Sequence, residues 1–210
     1  RELSLAQHEP KPLAKTRSTV LCVGDLHLPW VHKGAFSWLM DLAAEIRPDF
    51  IVQLGDLFDL MAFSRFPRSL NVMTPDDEIK EARRWAEFFW SEMRRLAPGA
   101  QLAQLVGNHD ERSRKRALDH FASLEHFVDD AMRELMTFPG VTTIFDAKEE
   151  LEIESVIYMH GYRTRLGDHA RHNQQSTVHG HTHRGGTTFV QGARGVVFEL
   201  DAGFMADPEA

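Results

Sequence analysis

Short apolar runs alternate along this chain with segments of helical period. Thr19-Val20-Leu21-Cys22-Val23 is a β-branched run stopped by Gly24 and predicts a buried strand. Ala35, Phe36, Leu39, Leu42, Ala43 and Ile46 recur at helical spacing, and Pro48 closes that helix. Phe50-Ile51-Val52-Gln53-Leu54 predicts a second strand. Thr74-Pro75-Asp76-Asp77 has the composition of a helix start, with a capping hydroxyl, proline at the first helical position and acids in the first turn. Ile79, Ala82, Trp85, Ala86, Phe89, Met93 and Leu96 give that helix a wide apolar face, read as core, and Pro98-Gly99 ends it.

The alternation continues toward the C-terminus. Leu102 to Val106 predicts a third strand, and a polar helix start follows at Glu111 to Arg116. Leu124, Phe127, Val128, Ala131, Met132 and Leu135 predict a further amphipathic helix, so residues 111–138 read as a helical insertion beside whatever site exists. Val156 to Met159 predicts a fourth buried strand, and residues 164–174 a helical segment. Thr187 to Val190 and Val196 to Leu200 suit a closing hairpin turned at Gly192 to Gly195. Residues 1–18, with Pro10 and Pro12, read as an extended arm, and 19–210 as a single domain of α/β class, a size one core can serve.

The first four predicted strands each end in a turn rich in His, Asp or Asn, and a fifth such turn follows Val178-His179. The series is Asp25-Leu26-His27, Gly55-Asp56-Leu57-Phe58-Asp59, Gly107-Asn108-His109-Asp110, His160-Gly161 and Gly180-His181-Thr182-His183. Ligands of open α/β sheets bind beyond the carboxyl ends of strands. Mixed carboxylate, amide and imidazole donors suit borderline divalent ions better than Mg²⁺ or Ca²⁺, so Mn²⁺ is expected first, with Fe²⁺, Zn²⁺ or Ni²⁺ as alternatives. Asp25, His27, Asp56, Asn108, His160, His181 and His183 outnumber what one ion needs. That surplus suggests two ions sharing a bridging carboxylate, a recurring device for attack on phosphorus.

In this order the five motifs resemble the calcineurin-like metallophosphoesterase superfamily, over residues 25 to 183. The resemblance implies a four-layer α/β/β/α sandwich of two mixed sheets flanked by helices. It implies that Asp25, His27, Asp56 and His183 hold one ion, and that Asp56, Asn108, His160 and His181 hold the other, Asp56 bridging. Attack is then expected from a hydroxide activated by both ions. His109 matches the family's non-ligand histidine at the leaving oxygen, Asp59 the carboxylate that orients it, and Asn108 also touches the substrate phosphate. Serine/threonine protein phosphatases of the superfamily carry Arg where this chain has Leu60 and Glu where it has Asp110. The chain is therefore more similar to the compact bacterial and phage phosphoesterases, which implies a phosphodiesterase on nucleic acid or nucleotides. A phosphomonoesterase acting on a small molecule is the alternative within the class. A non-catalytic metal-binding scaffold, like the retromer subunit of this fold, is the alternative outside it.

Charge changes the picture only locally. The formal net charge of −7 disfavours binding to nucleic acid or anionic membrane through overall charge. Yet Arg112, Arg114, Lys115 and Arg116 cluster just after the third motif, where cations oppose a helix dipole, and are candidate phosphate-binding residues. Arg65, Arg68, Arg163 and Arg184 are candidates for the same rim, and Trp30 for stacking a base or ring, with a core-anchored Trp30 as the competing reading. No segment has the roughly 20 apolar residues of a membrane span, and no signal-peptide core opens the chain, which gives a cytoplasmic expectation. Cys22 is read as a buried strand residue, and His169, His172 and His179 as surface or packing residues. Oligomeric state is left open, a homodimer among the options.

Overall fold

The computed structural model describes residues 17–65 and 73–207; the arm assigned to residues 1–18 lies almost wholly outside them, as does Arg68. In chain order the elements are β1 (Val20–Val23), α1 (Lys33–Ile46), β2 (Phe50–Gln53), α2 (Pro75–Leu96) and β3 (Gln101–Leu105). Then come α3 (Arg112–His120), α4 (Glu125–Met136), β4 (Val141–Ile144), β5 (Leu151–Ile153) and β6 (Val156–Met159). The chain closes with α5 (Asp168–Asn173), β7 (Ser176–His179), β8 (Gly186–Gly192) and β9 (Gly195–Asp201). The strands form two sheets, ordered β1-β2-β3-β4 and β5-β6-β7-β9-β8. The second is mixed as expected. In the first every pairing is parallel, because each crossover there runs through a helix.

Alternation within the strands decides the layering. Leu21, Val23, Ile51 and Leu102 point to one face and pack with Phe36, Leu39 and Ala43 of α1 and with Ala82, Ala86, Phe89, Trp90 and Met93 of α2. Val52, Leu54 and Leu105 point to the other face and meet Tyr158 and Val178 of the second sheet, with Val20, Cys22 and Leu200 at the edges. On the far side of the second sheet lie Thr177, His179 and Glu199, covered by α5, whose His169 and Ala170 are buried. The order helix, sheet, sheet, helix is thus the four-layer sandwich.

Local chemistry explains the element starts and stops. Thr74 caps α2 by accepting from the Asp77 amide at 3.2 Å, and Asp76, Asp77 and Glu78 lie in its first turn. The buried Trp90 indole donates to Gln104 Oε1 at 3.0 Å, and the Gln104 amide donates to the Met136 carbonyl at 2.6 Å, so one side chain ties α2, β3 and α4 together. The helical insertion is α3 and α4, and Met132 and Met136 of α4 join the helix-side core. Cys22 sits in β1, and burial pushes its thiol up to about 12, so it stays protonated.

Candidate metal centre

Five strands of parallel sense, β1, β2 and β3 in one sheet and β6 and β7 in the other, end on the same side, and the motif turns follow those ends. The turns after β1 and β2 continue the sheet as a ladder, His27 N donating to Asp56 O at 3.0 Å and Leu28 N to Leu57 O at 2.8 Å. Gly180 N donates to His160 O at 3.0 Å, which joins the turns after β6 and β7. Asp110 is buried and accepts from the Gly107, Leu57 and Phe58 amides at 2.8, 3.3 and 2.8 Å, so it locks the β3 turn onto the β2 turn.

Two glycines permit this convergence. A Cβ at Gly107 would overlap the Asp56 carboxylate and amide, and one at Gly180 would overlap the Asp25 carboxylate. Each glycine therefore leaves space for a carboxylate delivered by another motif. Five of the seven donors come from left-handed backbone: φ is 47° at Asp25, 48° at His27, 52° at Asp56, 74° at His181 and 60° at His183. Such conformations cost on the order of 1 kcal/mol or more each for non-glycine residues, and gather where function over-determines the backbone.

Asp25, His27, Asp56 and His183 bring one ligating atom each to within 4.8 Å of one another. His27 Nε2 and His183 Nε2 are 3.1 Å apart, and His183 Nε2 lies 3.3 Å from Asp25 Oδ1. Nearby, Asn108 Oδ1 lies 3.0 Å from His160 Nε2 and 2.7 Å from His181 Nδ1, while His160 Nε2 is 3.4 Å from Asp56 Oδ2. Asp56 touches both groups.

The outer ring nitrogens are engaged elsewhere. His160 Nδ1 donates to the Leu54 carbonyl at 2.9 Å, and His27 Nδ1 to Asp59 Oδ1 at 2.9 Å. Both Nε2 lone pairs are consequently turned inward, the arrangement second-shell partners impose on metal-binding imidazoles. Electrostatics agrees. Burial would lower the His27 imidazole, but hydrogen bonds to Asp25 and Asp59, with the charge of Asp56, raise it to about 9. Burial would raise the Asp25 carboxyl, yet the bonds from His183 and His27 hold it well below the usual range. A surplus of buried negative charge that draws a proton onto an imidazole is one a divalent cation would neutralise, so Asp25, His27, Asp56 and His183 fit such an ion, with Asn108, His160 and His181 beside them.

A second cluster, His27, Asp59 and His109, is a hydrogen-bond hub. Asp59 Oδ1 accepts from His27 Nδ1 at 2.9 Å and from His109 Nδ1 at 2.8 Å. Arg112 donates from NH2 to His109 Nε2 at 2.8 Å and from NH1 to the Asp59 carbonyl at 2.8 Å. Because guanidinium only donates, Nε2 is the bare nitrogen of His109 and Nδ1 carries its proton. Burial would raise the Asp59 carboxyl, and its bonds from His109 and His27 lower it below the ordinary carboxylate range.

The four basic candidates part company on α3. Arg112 reaches His109 and Asp59. Arg114 turns away, pairing with Asp129 at 2.5 Å and Glu125 at 3.3 Å on α4, because i and i+2 on a helix do not share a face. Lys115 pairs with Glu111 at 2.6 Å, and Arg116 is exposed. Arg65 pairs with Asp119 at 2.6 Å; Arg163 lies over the Tyr162 ring, and Arg184 makes a 3.5 Å contact with the Thr164 carbonyl, so neither of these two touches the donor set. Trp30 is half-buried and its side chain hydrogen-bonds the buried Glu78 carboxylate, which fits the core-anchored reading. His169 and His179 pack in the interior and His172 lies on the surface. One neighbour escaped the sequence reading. Phe204 stacks on His183 with centroids 5.1 Å apart, at 20°, and follows no motif that would flag it.

A solved structure of Yfce, a phosphoesterase from E. coli, is similar at 18% identity, covering 91% of this chain and 82% of that one, with a TM-score of 0.43. No curated protein sequence matches. The sequence profile of calcineurin-like phosphoesterases matches residues 18–189, and the chain belongs to that family.

Proposed function

We propose that this protein is a dinuclear metal-dependent phosphodiesterase acting on nucleic acid or nucleotides. The observation that carries the metal-dependent reading is the inward aim of the donors: His27 and His160 each tether Nδ1 to a fixed acceptor and turn Nε2 toward Asp25, Asp56 and Asn108. Asp25, His27, Asp56 and His183 would hold one ion, and Asp56, Asn108, His160 and His181 the other. When bound, such ions supply Lewis-acid polarisation of the phosphoryl oxygens and lower the pKa of the attacking water.

The chain's own groups do the rest. Asn108 orients a phosphoryl oxygen beside the donors. His109 serves the leaving oxygen through Nε2: once Arg112 swings its NH2 from that nitrogen to the phosphate, Nε2 takes up a proton from solvent and delivers it to the leaving oxygen, while Asp59 holds the ring by Nδ1 and stabilises the transient imidazolium. Diester preference is supported by Leu60, which is fully buried where a protein phosphatase carries arginine, so that position offers no guanidinium to a dianionic monoester.

The test is a Mn²⁺-supplemented panel of bis-aryl phosphate, mono-aryl phosphate, cyclic nucleotides and labelled oligonucleotides. Diesters should turn over faster than monoesters. Metal binding without turnover of any ester would favour a scaffold and refute the assignment.

A further inference from the structure

A cavity of about 270 Å³ opens beside Asn108, and its lining is unlike the rest of the surface. Phe63, Ser64, Arg65, Asn108, Arg112, Lys115 and Arg116 form it, with four cations and no carboxylate, in a chain of formal charge −7. A cavity of similar size on the other side of α3 is lined by Arg114 and Arg133 but also by Glu111, Asp129 and Asp146, which compensate them. Arg112, Lys115 and Arg116 stand at i, i+3 and i+4, so they share one face of α3, with Arg116 about 6 Å, just over one turn, beyond Arg112. Arg112 is held at the His109 end by its bonds to His109 and Asp59. Among the described residues Arg116 is paired with no acid, while Arg65 pairs with Asp119, Lys115 with Glu111 and Arg112 with Asp59, none of these acids lining the cavity.

Four cations line a cavity beside Asn108 that no carboxylate enters, and Arg116 among them has no acid partner, so the cavity can take an anion next to the donor set. We infer that this cavity seats a second phosphate of the substrate, the one adjoining the scissile linkage in a nucleic-acid strand, with Arg116 and Lys115 as its specificity-determining contacts. Phe63 offers an apolar wall to the intervening sugar. This rests on the phosphodiesterase reading above and names its substrate class: a strand with consecutive phosphates, which turns over better than an ester with one.

The experiment uses three dinucleotides: thymidylyl-thymidine with free ends, the same bearing a 5′-phosphate, and the same bearing a 3′-phosphate. Internal diester cleavage is followed by chromatography with Mn²⁺ present. One phosphorylated form should be preferred over the free form by on the order of tenfold in kcat/KM, mostly through KM. Lys115→Ala/Arg116→Glu should bring that ratio near one. Arg95→Glu, on α2, changes charge without touching the cavity and should leave the ratio as in the wild type. Absence of a preference, or one that the double variant retains, overturns the inference while leaving the phosphodiesterase assignment standing. Faster cleavage of a nucleoside diphosphate than of either phosphorylated dinucleotide overturns the assignment to a strand. If no ester is cleaved, the phosphodiesterase reading fails on its own. The cavity is then judged by calorimetry on the Mn²⁺-loaded protein: tighter binding of a phosphorylated than of the free dinucleotide, lost in the double variant, supports it, and equal binding refutes it.

Discussion

Replacing Asp59 by Asn tests whether one carboxylate serves both the metal centre and the proton donor. Asp59 Oδ1 holds His27 Nδ1 at 2.9 Å and His109 Nδ1 at 2.8 Å, so it fixes the tautomers of a proposed metal ligand and of the proposed acid together. Hydrogen bonds to a charged acceptor are worth about 1.5–3 kcal/mol, roughly twice their neutral counterparts. The isosteric amide therefore removes about 1–1.5 kcal/mol at each imidazole, or roughly 5- to 15-fold at each. Because the amide oxygen must face both rings, its NH2 takes the place of Oδ2, which is buried without a partner. A buried orphan donor should cost a further 1–3 kcal/mol or so of stability. Calorimetric Mn²⁺ titration should show affinity down about tenfold or more, and kcat at saturating Mn²⁺ should fall at least as far. Asp59→Asn with wild-type metal affinity and wild-type kcat would refute the shared-hub argument. Loss of kcat alone would place His27 outside the metal set.

Three further outcomes follow from named contacts. His109→Asn should keep metal binding and lower turnover by roughly 10²- to 10⁴-fold, and full retained activity would remove His109 from catalysis. Asp56→Asn, at the point both donor groups share, should lose metal by calorimetry, and an unchanged metal content would disprove its bridging position. Burial and the neighbouring His179 push the His169 imidazole down to about 4, so the folded state holds it neutral while the unfolded chain protonates near 6.5. The stability this contributes is complete above pH 6.5 and is lost as pH falls through about 4, at most about 3 kcal/mol. Urea unfolding of wild type and His169→Leu at pH 7.5 and 5 should show a smaller pH loss in the variant, and equal losses would contradict that assignment.

Much of this was legible in the sequence because the core strands are β-branched runs stopped by glycine, and α2 announces itself with Thr74-Pro75. The motif turns could be placed at strand ends for the same reason. Two of the four edge strands gave no such signal: β4 reads Val141-Thr142-Thr143-Ile144 and β5 spans three residues, so neither has a run long enough to stand out. The basic cluster after the third motif was visible, but its division was not. Whether Arg114 joins Arg112 or opposes it depends on α4 supplying Asp129, a contact between residues 15 apart in the chain. Phe204 was invisible since its stacking on His183 is made by irregular chain following β9.

The overlap of Gly107 with Asp56 and of Gly180 with Asp25 makes the motifs steric halves of one another. Neither glycine can acquire a side chain while the opposing aspartate stays in place; a small residue at 25 would release position 180, whereas position 107 is also closed by the Asp56 backbone amide. In relatives of this chain the two positions should thus behave as a ledger of the centre's integrity: an alanine at 180 would announce, ahead of any assay, that the Asp25 carboxylate had moved or been given up, and one at 107 that the two motif turns had parted.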